Sequence, residues 1–265
     1  MTKKIFICGN SFSHGHYLIK DSMHGPINYN TLQLGQHKPY AEFISQELGV
    51  DYVMLAKPIA SNYFICKQIE YAIEHKADLV LVNFSSARHI DFTVKEKRLT
   101  SMPTLKNLIY EEKTFSPGMQ NPTSELDSQQ VQCLRYPNLE TYARSSNPEY
   151  LPIAEYLNHY NDYFLKMDTE RLMILGVLSL LKENNIKYIV VDLIEPGKDL
   201  PNVTNPSSLA DFNILNFMKI DSYFQLPEGF RDRYPNPTDN FHFNEEGHRE
   251  LAKLLLPMIK ESLYL

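Results

Sequence analysis

The sequence predicts a doubly wound α/β fold, flavodoxin-like and three layers deep, with a parallel sheet between two layers of helices. Three observations predict it. Short apolar runs rich in β-branched residues alternate with longer stretches whose apolar residues recur at helical spacing. One run, DLVLVNF at 78–84, is apolar almost throughout, as a strand covered on both faces must be. The 265 residues, 43% hydrophobic and 22% charged, suffice to bury one large core.

In chain order, KIFIC (4–8) reads as the first strand and runs into a corner at Gly9, Asn10 and Ser11. Residues 39–49 have helical spacing, with Pro39 at the start and Gly49 as the stop. DYVMLA (51–56) is the second strand, and 61–76 is an amphipathic helix that Ser61 or Asn62 can cap. The third strand is 78–84. A helix over 168–185, capped by Asp168 or Thr169, leads into the fourth strand at 187–194. Residues 244–263 close the chain as a helix, with a bend expected before Pro257. The span 85–167 is rich in Pro, Asn and Ser and holds one helical pattern, 153–166. It is far longer than an ordinary connection. It is therefore expected to be an insertion, a cap or rim, within a single domain of residues 1–265.

Composition narrows the function. A net charge of -6 argues against a nucleic-acid partner. Three cysteines without metal-type spacing predict buried thiols rather than a disulfide framework. The N-terminal MTKKIFICGN has an apolar run too short for a secretory signal, and no stretch approaches the roughly 20 apolar residues of a membrane span. A cytoplasmic protein is expected.

In an open parallel sheet, ligands collect at the carboxyl ends of the strands. The residues placed there are Gly9 to Ser11, the stretch 57–62, the stretch 83–88 with Asn83 and Arg88, Asp192, and DNFHFNEEGH at 239–248. The last is the most informative. A carboxylate and an imidazole three residues apart before a helix can lie side by side. Asp239 would then hold one ring nitrogen of His242 and leave the other to take a proton from a serine.

Each residue also has a plainer reading. Ser11 can be a turn residue, Asn83 can satisfy strand-end backbone groups, and Arg88 can pair with an acid. His248 is expected on the surface. His14 and His16, two apart, suit an extended pair of metal ligands, but no third ligand stands at a diagnostic spacing. They are expected to be solvated loop histidines, and no metal or cofactor is expected.

Gly9-Asn10-Ser11 after the first strand, Ala60-Ser61-Asn62 after the second, and Asp239-x-x-His242 before the last helix resemble three spaced blocks of the SGNH (GDSL-type) hydrolases. The resemblance covers both ends of the chain and the strand order, but not 85–167. It implies metal-free hydrolysis of an ester through an acyl-enzyme, with Ser11 as nucleophile, His242 as base and Asp239 as its orienter. It also implies an oxyanion hole made by the N–H groups of Ser11 and Ala60 and a side-chain amide. Asn10 stands where aspartate is usual, and Ala60 where glycine is usual. The third block, usually Gly-x-Asn-Asp, reads NFSS at 83–86. Aligned directly, Ser85 falls at the asparagine position; shifted by two, Asn83 supplies the amide. Asn62 is another candidate donor, and Arg88 a candidate substrate contact. Ser11, Asp192 and His242 follow the order of α/β-hydrolases instead, but that fold's Gly-x-Ser-x-Gly elbow would need glycine at Ser13, so Asp239 is preferred.

The expected substrate is a small-molecule or carbohydrate-like ester carrying acetyl or another short acyl group. Acyl transfer, and a non-catalytic binding or assembly protein of the same fold, are the alternatives.

Overall fold

A computed structural model of the chain describes residues 3–15, 38–57, 60–85, 89–93, 119–120, 131–135, 163–193, 214–236 and 242–264. The elements, in order, are β1 (Lys4–Cys8), α1 (Ser11–His14), α2 (Tyr40–Leu48), β2 (Asp51–Met54), α3 (Asn62–Glu74) and β3 (Leu79–Val82). Next come β4 (His89–Thr93), β5 (Met119–Gln120), β6 (Val131–Arg135) and α4 (Tyr163–Glu183). The chain then continues through β7 (Lys187–Asp192), α5 (Ile214–Phe217), β8 (Tyr223–Gln225), α6 (Phe230–Arg233) and α7 (Glu245–Tyr264).

Six strands form one sheet in the order β5-β2-β1-β3-β7-β8, and every neighbouring pair is parallel. Ile7 pairs with Met54 on one side and Leu81 on the other. From β1 the chain steps outward to β2, then back across to β3. That reversal opens a crevice at the carboxyl ends of β1 and β3, the usual ligand position in such sheets. The fold is the predicted doubly wound α/β architecture.

The strand pleat explains the unbroken apolar runs. Ile5, Ile7, Tyr52, Met54, Leu79, Leu81, Ile189 and Val191 face one way, into a core shared with Tyr40 and Ile44 of α2 and Leu251, Leu255 and Ile259 of α7. Phe6, Cys8, Val53, Val80, Val82 and Val190 face the other, against Ile65 and Ile69 of α3 and Ile174, Val177 and Leu181 of α4. With both faces covered, a polar side chain in the buried middle of these strands would need a partner.

One of the predicted element boundaries needs correcting. The helix predicted from 168 begins by Tyr163, so Asp168 and Thr169 are interior rather than capping; the Thr169 hydroxyl donates to the Leu165 carbonyl at 2.8 Å. The span 85–167 contributes β5 to the main sheet, parallel to β2, and a separate antiparallel pair, β4 with β6. Pro257 lies inside α7, which continues to Tyr264. The short elements β8, α5 and α6 have no counterpart in the sequence reading. Among the described residues, no helix is long and apolar enough to cross a membrane.

Candidate active site

The site begins where β1 ends. Gly9 follows Cys8 with φ +155°, and a Cβ there would lie 2.8 Å from Ser13 Oγ and 3.1 Å from the Asn83 carbonyl oxygen. No side chain fits in that corner, and this is why a glycine precedes the serine. Asn10 is the N-cap of α1: its Oδ1 accepts the Phe12 N–H at 3.1 Å. The asparagine that departs from the resembled motif thus has a structural task of its own. Ser11 becomes the first residue of the helix, and among the described residues its N–H meets no acceptor.

The other half of the site comes from just before α7. Two backbone bonds pin the segment carrying His242: Asn236 N–H to the His242 carbonyl at 3.2 Å, and Asn244 N–H to the Tyr234 carbonyl at 3.0 Å. Pro235 and Phe243 form an antiparallel bridge between the two. Asn244 Oδ1 accepts the Gly247 N–H at 2.9 Å and starts the helix. A Cβ on Gly247 would come within 2.8 Å of the Cβ atoms of both Phe243 and Tyr234, so this helix start packs directly on the His242 segment.

These two halves meet. Ser11 Oγ lies 2.8 Å from His242 Nε2, across 231 residues of sequence. With Nε2 as acceptor, the hydroxyl donates to the ring and the ring proton sits on Nδ1. The Phe12 ring stacks on the imidazole with centroids 4.3 Å apart and 27° between planes. Asp239 and Arg88, the predicted orienter and substrate contact, lie outside the described residues.

The candidate oxyanion donors are differently placed. The Ala60 N–H makes a long bond, 3.3 Å, to the Lys57 carbonyl. Asn62 is committed: Nδ2 donates to the Ser85 carbonyl and to Glu170 Oε2, both at 2.8 Å, while Oδ1 accepts the Ser85 N–H at 2.7 Å. Its amide therefore joins α3, α4 and the segment following β3, with no hydrogen left over. Asn83 Nδ2 donates one hydrogen to the Val191 carbonyl at 3.1 Å. Asp192 is buried and accepts the Tyr223 hydroxyl at 2.9 Å.

Two histidines differ from expectation. His14 is buried within α1 rather than solvated, and His16 lies outside the described residues. His248 is 2% exposed, not on the surface. Its Nδ1 accepts the Tyr40 N–H at 3.3 Å, and burial, with His242 nearby, lowers its pKa from 6.5 to about 3. It is a neutral ring. Burial likewise lowers Lys57, just past β2, to about 8.

The sequence reading missed Phe12, Gln68, Glu170 and Arg231. Glu170 did leave a signal. It shares a helical stripe with Ile174, Val177 and Leu181, and a carboxylate on an apolar stripe must be buried with a partner.

The chain is thus a doubly wound α/β protein with a serine hydroxyl bonded to an imidazole at the crevice of its sheet. No protein-family model and no curated protein matches it. Among solved structures it is similar to an acetyl xylan esterase, at 11% identity and TM-score 0.47, over 97% of this chain and 99% of that one. A GDSL-like lipase from Bacteroides thetaiotaomicron is similar at 14% identity and TM-score 0.46, over 98% and 89%. An acetyl xylan esterase from the rumen bacterium Butyrivibrio proteoclasticus is similar at 12% identity and TM-score 0.49, and 64% of its length is covered by 98% of this chain.

Proposed function

We propose that the chain is a serine esterase of the SGNH type. Ser11 Oγ attacks the ester carbonyl while His242 Nε2 takes its proton, and the alcohol leaves with that proton. Water, activated by the same nitrogen, then attacks the acyl-serine; the acid departs and Ser11 recovers its hydrogen. Asp239 is assigned to the His242 Nδ1–H. The oxyanion is held by the Ser11 N–H, assisted by the Ala60 N–H and by the second amide hydrogen of Asn83. Asn62 is left out of that role because its hydrogens are spent. Arg88 is assigned to the substrate, a short acyl ester of a carbohydrate-like alcohol.

The observation that carries this reading is the 2.8 Å contact between Ser11 Oγ and His242 Nε2. A serine used only to terminate a strand has no need of an imidazole brought in from the far end of the chain.

A fluorophosphonate probe tests it. Native protein should label, and Ser11→Ala and His242→Ala should not. Hydrolysis of p-nitrophenyl acetate should fall by roughly 10³-fold or more in both variants. A folded native protein that neither labels nor hydrolyses would instead favour a binding or assembly role.

A further inference from the structure

The amino ends of the strands hold a second cleft, at the opposite end of the sheet from Ser11. β7 starts at Lys187, but β8 pairs with it only from Val190, whose N–H donates to the Ser222 carbonyl at 2.9 Å. Alternate residues of a parallel strand send N–H and C=O to the same neighbour. The Tyr188 N–H and C=O therefore face the side where β8 has not begun, and among the described residues neither meets a partner there. This notch belongs to a cleft of about 800 Å³ between the end of α4, the start of β7, the residues just before β8 and the end of α7.

The cleft is fixed in place. Lys182 Nζ donates to the Lys219 carbonyl at 2.7 Å and lies 3.8 Å from Asp221 Oδ2, so the segment before β8 is tied to α4. Tyr188, which lines the cleft, is 6% exposed, and its hydroxyl is buried with no hydrogen-bond partner. Burial, and then the Asp221 carboxylate, push that phenol up to about 12, so it keeps its proton at neutral pH.

We propose that this cleft binds a neutral sugar, at a site separate from the crevice that holds Ser11 and independent of whether Ser11 cleaves an ester. Lys182 and Lys187 line it together with Asp221 and Glu261, so its described walls carry no net charge and select neither a phosphate nor a cation. They present a mixture of donors and acceptors instead: the Tyr188 backbone and phenol, the Asn185 amide, and the Ser222 and Ser262 hydroxyls. Sugar hydroxyls both donate and accept, which matches such a mixture. Ile186 and Met258 add an apolar wall for the C–H face of a sugar ring. The volume suits a mono- or disaccharide. A peptide added as a strand does not suit this edge. The preceding group of the same phase, the Ile186 N–H, already donates to the Leu181 carbonyl at 3.0 Å, and one residue cannot seat a ladder.

The test is a heteronuclear NMR titration of the backbone amides with maltose and with cellobiose. Saturable shifts are expected at the Tyr188, Ser222 and Ser262 amides and not at Ser11. Tyr188→Phe removes the hydroxyl that lacks a partner, keeps the ring in the core, and should weaken binding by roughly three- to tenfold. Ser262→Trp fills the cleft from the surface of α7 and should abolish the shifts. No saturable shift with either sugar, or shifts that survive Ser262→Trp unchanged, would overturn the proposal. Should Ser262→Trp fail to fold, equal affinity in native protein and Tyr188→Phe has the same force. The titration needs no turnover, and fluorophosphonate labelling, expected to be equal in native protein and both variants, reports separately on Ser11.

Discussion

Gln68 grips Gly9 from both sides: the Gly9 N–H donates to Gln68 Oε1 at 2.7 Å, and Gln68 Nε2 donates to the Gly9 carbonyl at 3.3 Å. The glutamine is fully buried on α3, and the same carbonyl also accepts the Lys57 N–H at 3.0 Å. The residue two before Ser11 is therefore held by a helix and by the segment that follows β2. Gln68→Leu leaves a buried N–H unsatisfied and should cost about 1–3 kcal/mol. Urea unfolding measures that cost. Probe labelling of the folded variant should also slow, because the corner that aims Ser11 is loosened.

Gly9→Ala should be worse for labelling than for folding. The added methyl meets Ser13 Oγ at 2.8 Å and the Asn83 carbonyl at 3.1 Å, so the corner must move. Overpacking of this kind costs about 1–3 kcal/mol. Gly247→Ala should act from the other side, pushing on Phe243 and Tyr234 and so on the His242 segment. Thermal unfolding and labelling rate, measured together, separate the two effects.

Asn62 gives the reverse pattern. Asn62→Ala strands the buried Glu170 carboxylate and the Ser85 N–H. A loss of roughly 2–4 kcal/mol of stability is expected. Loss of activity with unchanged unfolding would instead mark Asn62 as an oxyanion donor and count against the structural role argued above.

His248 predicts an acid-sensitive fold. Its pKa is about 3 in the native state against 6.5 ordinarily, so between those values the unfolded chain binds a proton that the native protein refuses. The neutral ring's contribution is present in full above about pH 6.5. It is lost as pH falls, by at most about 1.4 kcal/mol per pH unit. In His248→Asn, unfolding free energy plotted from pH 7 down to pH 5 should be flatter than in native protein. Parallel curves would refute the assignment.

Much of this was legible in the sequence, for identifiable reasons. The core strands and long helices follow from period, because the pleat of β1, β3 and β7 buries both faces and α3 buries one stripe. The Ser11 and His242 pairing follows from strand-end position and the Asp-x-x-His spacing. What was not legible depends on tertiary contact. His248 looks like a polar residue at a helix start, and only the packing of Tyr40 and Phe243 against it makes it a core ring. Asn62 looks like a cap or a donor, and only the return of α4 brings Glu170 to it. Phe12 reads as one more apolar residue until His242 arrives. Strands of two or three residues, such as β5 and β8, are shorter than any periodic signal.

The placement of β5 bears on how this chain could be dissected. Residues 119 and 120 close the outer side of β2, pairing with Tyr52 and Val53. A shortened version that excises the segment between β4 and β6 as a dispensable loop would strip that closure. The N–H and C=O groups along β2 would then face solvent as an open border, ready to recruit the same strand of another molecule. Such a version is expected to self-associate through β2 even if Ser11 and His242 still meet.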